Sequence, residues 1–381
     1  MSFKISPRPE SVRRIRTARQ LSLDAVAASS GVKLEDLQLV ETTGLELSKS
    51  KIRELASALS VPIQYLFFKD VLVGKNIPDF RTPGNKPAIV TPAGLSKIDR
   101  ARSIIDYLSD TVFDGLGGSD IHGVLTDFED VKYAVRRLSS VYEPRYDKSG
   151  NVDPDETFRE LRVDIEKRGV LVLCDKIKNE NYRGFCFGGE VSFPLIFINT
   201  FNQRPATKLF TFVHEIVHVM LGETGVSDPS ILDNKVERFC NRVTAEVMMP
   251  SAAFEAYFGT LQQRTARRIA TSMAKRFGVS KQAAALRIQE LGLQRDFYSA
   301  WVKSLPAQMP LIEEEEEKEE APQKGGGIGA QVARFGYLLP KVVGRAISKR
   351  HISPLDAFQL TNLKPSTMAK LSEIGSSRLG Q

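Results

Sequence analysis

His214, Glu215 and His218 stand together in the stretch FTFVHEIVHVMLGETG, residues 210 to 225. On a helix, two imidazoles at i and i+4 project from one face and can hold a single ion. Glu215 is turned about 100° from His214, where its carboxylate reaches a water on that ion without ligating it. That is the place of a general base in metal-assisted hydrolysis. Leu209, Phe210, Phe212, Val213, Ile216, Val217, Val219 and Met220 make the helix apolar on most sides. It is therefore expected to be buried, giving an ion dry and rigid support. The competing reading is a core helix whose histidines bond backbone carbonyls, but that reading leaves Glu215 without a purpose.

Zinc in a hydrolytic site takes three protein ligands and keeps a fourth position for water. His122 lies in a Gly-rich loop far upstream and His351 lies beyond an acidic run, so a carboxylate soon after the helix is the better donor. The stretch KVERFCNRVTAEVMMP, residues 235 to 250, reads as a second amphipathic helix ended by Pro250. It offers Glu237 and Glu246. These are nine residues apart, about two and a half turns, so they point in nearly opposite directions and only one can face the ion.

The elements that must hold these residues belong to a chain of 381 residues, too long for one ordinary core. With 42% hydrophobic and 26% charged residues the composition is that of a soluble globular protein. No apolar run approaches the roughly 20 residues that span a bilayer, and the basic N-terminus lacks the apolar core of a signal peptide. A cytoplasmic protein without membrane contact is expected. Cys174, Cys186 and Cys240 are scattered, odd in number and without CxxC spacing, which suggests neither a disulfide framework nor a thiolate metal site. The net charge of +7 includes an acidic run at 313 to 320, so the remainder is more basic than the total suggests. A polyanionic partner is allowed.

Residues 1–70 read as a bundle of five short helices. Val12, Ile15, Ala18 and Leu21 recur at helical spacing, Ser22 can cap a second helix, Gly31 supplies a turn, and KLEDLQLVE begins a third helix. Helix, short turn with Gly and helix is the layout of a helix-turn-helix, whose second helix enters the major groove. The unit resembles the phage-repressor-like (XRE-type) helix-turn-helix family, in which Glu41 follows the apolar pair of the third helix. The resemblance implies double-stranded DNA as a partner. Lys33, Gln38 and Thr42 are the base-reading candidates, and Arg13, Arg14 and Arg16 the backbone contacts. Glu35, Asp36 and Glu41 on the same helix suit phosphates poorly.

Residues 71–150 form a Pro/Gly-rich linker and helical connector, and residues 151–310 a helix, a small sheet and the HEIVH helix. The strand SFPLIFIN is read as an edge that could take an extended substrate by strand addition. Within this domain the segment 264–293 repeats the helix-turn-helix pattern around Gly278, either as a docking element or as a helical cap. Residues 311–327 form an acidic and Gly-rich linker, and residues 328–381 a small helical region without an assigned role. The fold class is α+β and multi-domain: an all-α bundle, an α+β domain with a small sheet and a helical C-terminal appendix.

HEIVH followed by GETGVSD and ERFCNRVTAEVMMP resembles the ImmA/IrrE family of zinc metallopeptidases, and the PDFRT stretch at 78 to 82 resembles its helix-turn-helix-fused members. The resemblance implies a zincin-like fold and a third ligand at Glu237, two residues before the Phe239, Cys240, Asn241 run. The metal would be Zn2+, with Mn2+ an alternative. It further implies an endopeptidase acting on a specific regulatory protein, a repressor of mobile-element or stress genes; a homo-oligomer is left open. Glu246 is then expected to bond a ligand imidazole or the sheet. The other reading is a transcription regulator or antitoxin-like protein that uses the fold for partner binding with little turnover.

Overall fold

A computed structural model describes residues 4–19, 21–68, 91–110, 118–126, 130–178, 182–189, 191–227, 235–261, 265–305 and 327–380. The PDFRT stretch and the acidic run lie outside these residues. The chain divides into two units, residues 1–106 with 177–181 and residues 107–176 with 182–381. Both are mostly helical, each with one small sheet. No helix among the described residues is long and apolar enough to cross a membrane.

In the first unit α1 (Pro9–Ala18) has Pro at its first turn and buries Val12 and Ile15. Ser22 caps α2 (Leu23–Ser30) by accepting from the Ala25 N–H, and Gly31 ends it at φ 61°, a conformation glycine enters without steric cost. After Val32 and Lys33 come α3 (Leu34–Thr42) and α4 (Lys49–Ala58); the fifth helix is a single 3-10 turn, Ile63–Leu66. A short ladder of β1 (Lys4–Ile5) with β2 (Leu47–Ser48) ties down the start of the chain. Glu41 departs from expectation. It is buried and takes a two-pronged ion pair from Arg16, Nε to Oε1 at 2.7 Å and Nη2 to Oε2 at 2.9 Å. A carboxylate read as facing phosphates is thus an internal strut between α1 and α3, and Arg16 is committed to it.

The boundary between the units falls within α5 (Pro92–Asp110). The second unit then runs through α6 (Val131–Ser139), α7 (Pro154–Lys167), β3 (Leu171–Asp175), β4 (Gly184–Phe187), β5 (Leu195–Asn199), α8 (Pro205–Leu221), β6 (Gly225–Ser227) and α9 (Lys235–Met248). Asp153 caps α7 by accepting from the N–H groups of Asp155 and Glu156. The sheet order is β3-β5-β4-β6, with β3 and β5 parallel and β4 antiparallel to both its neighbours. The strands β3, β4 and β5 are apolar and buried almost throughout, as strands covered on both faces must be. SFPLIFIN therefore does not supply an edge: its strand β5 lies between β3 and β4, because continuous apolar residues belong inside a sheet. On the side of β4 the outermost strand among the described residues is β6, too short to be read in the sequence.

The helices α10 (Ser251–Gly259), α11 (Ala266–Phe277), α12 (Lys281–Glu290) and α13 (Phe297–Lys303) extend this core. Gly278, at φ 65°, makes the turn between α11 and α12. The second helix of this pair buries Ala284, Ala285, Arg287 and Ile288 and packs on α13.

After residue 327 come α14 (Ile328–Phe335), α15 (Leu338–Ser348), α16 (Pro354–Thr361) and α17 (Pro365–Leu379). They are part of the second unit: α14 and α15 pack on β3, and α17 packs on α7. The joint is polar and buried. Arg162 of α7 donates to Ala333 O at 2.6 Å and to Val172 O at 2.5 Å. The Glu166 carboxylate, 1% exposed, accepts from the Tyr337 N–H at 3.0 Å and caps the start of α15. Gly336 sits between them at φ 69°, and a Cβ there would collide with the Glu166 carboxylate.

Two outcomes follow from this joint. Glu166→Ala leaves the Tyr337 N–H without its buried acceptor and removes the acid whose charge Arg162 offsets, so denaturant unfolding should show a loss of about 2–4 kcal/mol. Burial pushes Glu166 up to about 7 from 4.5, against the opposing pull of Arg162 and the Tyr337 and Leu338 N–H groups. A raised carboxyl means that the folded protein holds a proton the unfolded chain releases; its contribution is full below pH 4.5 and lost as pH rises through about 7. Glu166→Gln, which cannot titrate, should flatten stability against pH across that window.

Candidate metal centre

The helix α8 carries three of the four residues of interest. It opens with Pro205, closes at Gly222 with φ 69°, and is buried without interruption from Thr211 to Met220. Such a helix has no solvent face, so its polar residues must find partners inside the protein. α9 packs along it and brings Glu237 from its own first turn, where the helix dipole favours a carboxylate.

His214 Nε2 and His218 Nε2 are 3.1 Å apart, and each is 3.1 Å from an oxygen of Glu237. All three side chains are buried, at 1%, 2% and 6% exposure. In a tetrahedral site with bonds of about 2.0–2.1 Å, neighbouring donors lie about 3.3 Å apart. The triangle is within a few tenths of an ångström of that, and the donors are the two imidazoles and one carboxylate that zinc accepts. Among the described residues this is the one group of three such side chains able to hold a metal ion. Glu237, despite its burial, is held well below the usual carboxylate range by hydrogen bonds from both imidazoles. Burial pulls His214 down, while for His218 the influence of Cys240 and Glu237 outweighs burial and pushes it up. A cation among these three donors would offset the charge of the buried carboxylate.

Around the triangle, Asn241 stands near His214 and Cys240 near His218, while among the described residues Nδ1 of neither imidazole accepts or donates a hydrogen bond. Both lie one helical turn after Glu237 on the same face of α9, beside the two imidazoles. The ERFCN run was quoted from the sequence, but which side chain touches which imidazole follows only from the packing of α9 on α8.

Glu215 is fully buried, and its carboxylate meets the thiol of Cys186. The strand β4 presses on it: a Cβ on Gly184 would lie 2.8 Å from Glu215 Oε1 and 2.9 Å from Thr211 Cγ2. Gly225 of β6 stands against the His218 ring, where a Cβ would be 3.6 Å away. Neither glycine was singled out in the sequence; the signal was a glycine at each strand start in an otherwise apolar stretch.

Glu246 faces away, as the helical count required. It bonds neither an imidazole nor the sheet. It accepts from the N–H and hydroxyl of Ser251, at 3.0 and 2.7 Å, and from Arg287, which is 3% exposed. His122 bonds Gly188 O and stands outside the triangle, as does the exposed His351. All three cysteines are buried free thiols. In the first unit Arg13, Arg14, Lys33, Gln38 and Thr42 are exposed, and Thr42 returns its hydroxyl to Gln38 O.

Residues 165–289 match the family model of the IrrE N-terminal-like domain, Peptidase_M78. By this match the segment is similar to metallopeptidase domains of the ImmA/IrrE type, whose metal is usually zinc, and it contains all four residues of the site. No curated protein matches the chain.

The two glutamates of α9 separate in one experiment. Glu237→Ala should abolish stoichiometric metal in the purified protein, measured by elemental analysis. Glu246→Ala should keep the metal yet lower stability by about 1–3 kcal/mol, because buried Arg287 is left with Glu290 as its one carboxylate and Ser251 loses its acceptor.

Proposed function

We propose that the second unit is a metal-dependent endopeptidase with His214, His218 and Glu237 as ligands and Glu215 as general base, and that it cleaves a regulatory protein of the repressor type. The observation that carries this reading is the 3.1 Å triangle of donor atoms with a buried acid directly beside it, inside the segment that matches the peptidase family. A divalent ion, zinc or manganese, supplies Lewis-acid polarisation of the scissile carbonyl and makes a water more acidic. The rest is the work of the chain. Glu215 takes the proton of the attacking water on a carboxylate oxygen and delivers it to the leaving amine nitrogen. The backbone at Gly184 limits where that carboxylate can swing, and the apolar sides of α8 keep bulk water away. The edge of β6, beside His218, is where an extended peptide would pair by strand addition. In this reading the first unit is the DNA-binding head, with Lys33, Gln38 and Thr42 towards the bases, Arg13 and Arg14 towards the backbone, and Arg16 a strut.

A second reading, a regulator that binds partners with little turnover, is favoured by one observation. His214, Glu215 and His218 are all 2% exposed or less.

Glu215→Gln separates the two. Incubated with repressor-like substrates, wild-type protein should give site-specific cleavage, and the variant should retain its metal and melting behaviour but lose about 10²–10⁴-fold in rate. Intact substrate with wild-type protein, alongside measurable complex formation, would establish the second reading instead.

A further inference from the structure

The C-terminal helices, for which the sequence supplied no role, repeat the backbone of the N-terminal helix pair. Ser353 caps α16 by accepting from the N–H three residues on, as Ser22 caps α2. Asn362 ends α16 at φ 56°, ψ 26°, where Gly31 ends α2 at φ 61°, ψ 15°. Asparagine is among the few residues other than glycine that visit this region readily. Lys364 and Lys33 then open α17 and α3 with the same φ of −59° and ψ of 145°. Thr361 and Ser30 each return a hydroxyl to the carbonyl four residues back and accept from the N–H two residues on.

Each of these pairs is separated by 331 residues, and so are the positions that fill the two small cores. Val343 of α15 matches Val12 of α1, Ala357 matches Val26, Met368 matches Leu37, and Leu371 matches Val40; all are buried. The cap of the second helix, the turn that follows it, the opening of the third helix and four buried core positions therefore coincide.

What differs is the outward face. Glu35 and Asp36 in the first turn of α3 are replaced by Ser366 and Thr367 in α17, and the exposed Leu39 is replaced by the exposed Lys370. Residues 328–381 hold eight Lys and Arg against two Asp and Glu, nearly the whole excess of the chain. Arg334 and Arg378 are engaged by Asp175 and Glu160. Lys349, Arg350, Lys364 and Lys370 are exposed and pair with no acid among the described residues. In a helix-turn-helix the first turns of the second helix enter the major groove while flanking cations meet phosphates. We propose that α15, α16 and α17 form a second helix-turn-helix that binds double-stranded DNA through the exposed face of α17, with Lys364 and Lys370 at its centre. This inference is independent of the peptidase reading and of DNA binding by the first unit.

The test uses the full-length protein and a fluorescein-labelled random-sequence duplex, followed by anisotropy across a salt series. Binding should weaken steeply with salt. Lys364→Glu/Lys370→Glu should weaken it about tenfold or more and reduce the slope of log K on log salt by about two. Lys132→Glu/Lys148→Glu, the same charge change at exposed positions elsewhere in the second unit, should leave affinity within about twofold. Lys33→Glu tests the first unit separately, so either helix-turn-helix can fail without the other. The proposal is overturned by absence of duplex binding at low salt, which leaves the face to a protein partner, by equal loss in both double variants, or by unchanged binding when Lys364 and Lys370 are reversed.

Discussion

The second unit depends on keeping a charged carboxylate, Glu237, inside its apolar interior. An isolated charge there is costly, and only the opposed imidazoles of His214 and His218, at 3.1 Å each, make it tolerable. Bringing them together requires α8 and α9 to pack along one another with a fixed rotation. The surrounding structure serves that requirement: β4 runs against the acid of α8, and Gly184 is small enough to let it. Moving any of these elements by an ångström would separate charges that cannot be left apart in a dry interior.

The same economy of buried polar groups recurs away from the site. Arg287 is bound by Glu246, Arg16 by Glu41, and Arg162 is bound by carbonyls of β3 and α14 while Glu166 caps α15. Each joins segments far apart in the chain, and each fixes one geometry because a displaced partner would leave a charge unsatisfied. The Arg162 and Glu166 joint is why the helices after residue 327 are not an independent appendix. They complete the cover of β3, whose apolar residues would otherwise meet water, and so present α17 on a rigid base.

Whatever depends on local periodicity was legible in the residues alone. HEIVH had to be a helix with both imidazoles on one face, and the nine-residue spacing excluded a shared role for Glu237 and Glu246. Ser22, Gly31 and the apolar spacing around them specified the N-terminal bundle, because capping and left-handed turns act within a few residues. Where chemistry was local but the residue type unusual, reading failed: Asn362 in place of Gly31, and Ala357 in place of Val26, hid a repeat that backbone angles make plain.

The long-range pairings, by contrast, arise from how the elements pack. That Glu41 turns inward to Arg16, that Glu246 bonds Arg287 and Ser251, that β5 lies inside the sheet and that Gly184 touches Glu215 are all contacts between segments. A carboxylate on an amphipathic helix looks the same in a sequence whether it meets solvent, a metal or an arginine. Which partner it takes is set by the packing of the elements, since burial makes one satisfied arrangement far more favourable than the rest.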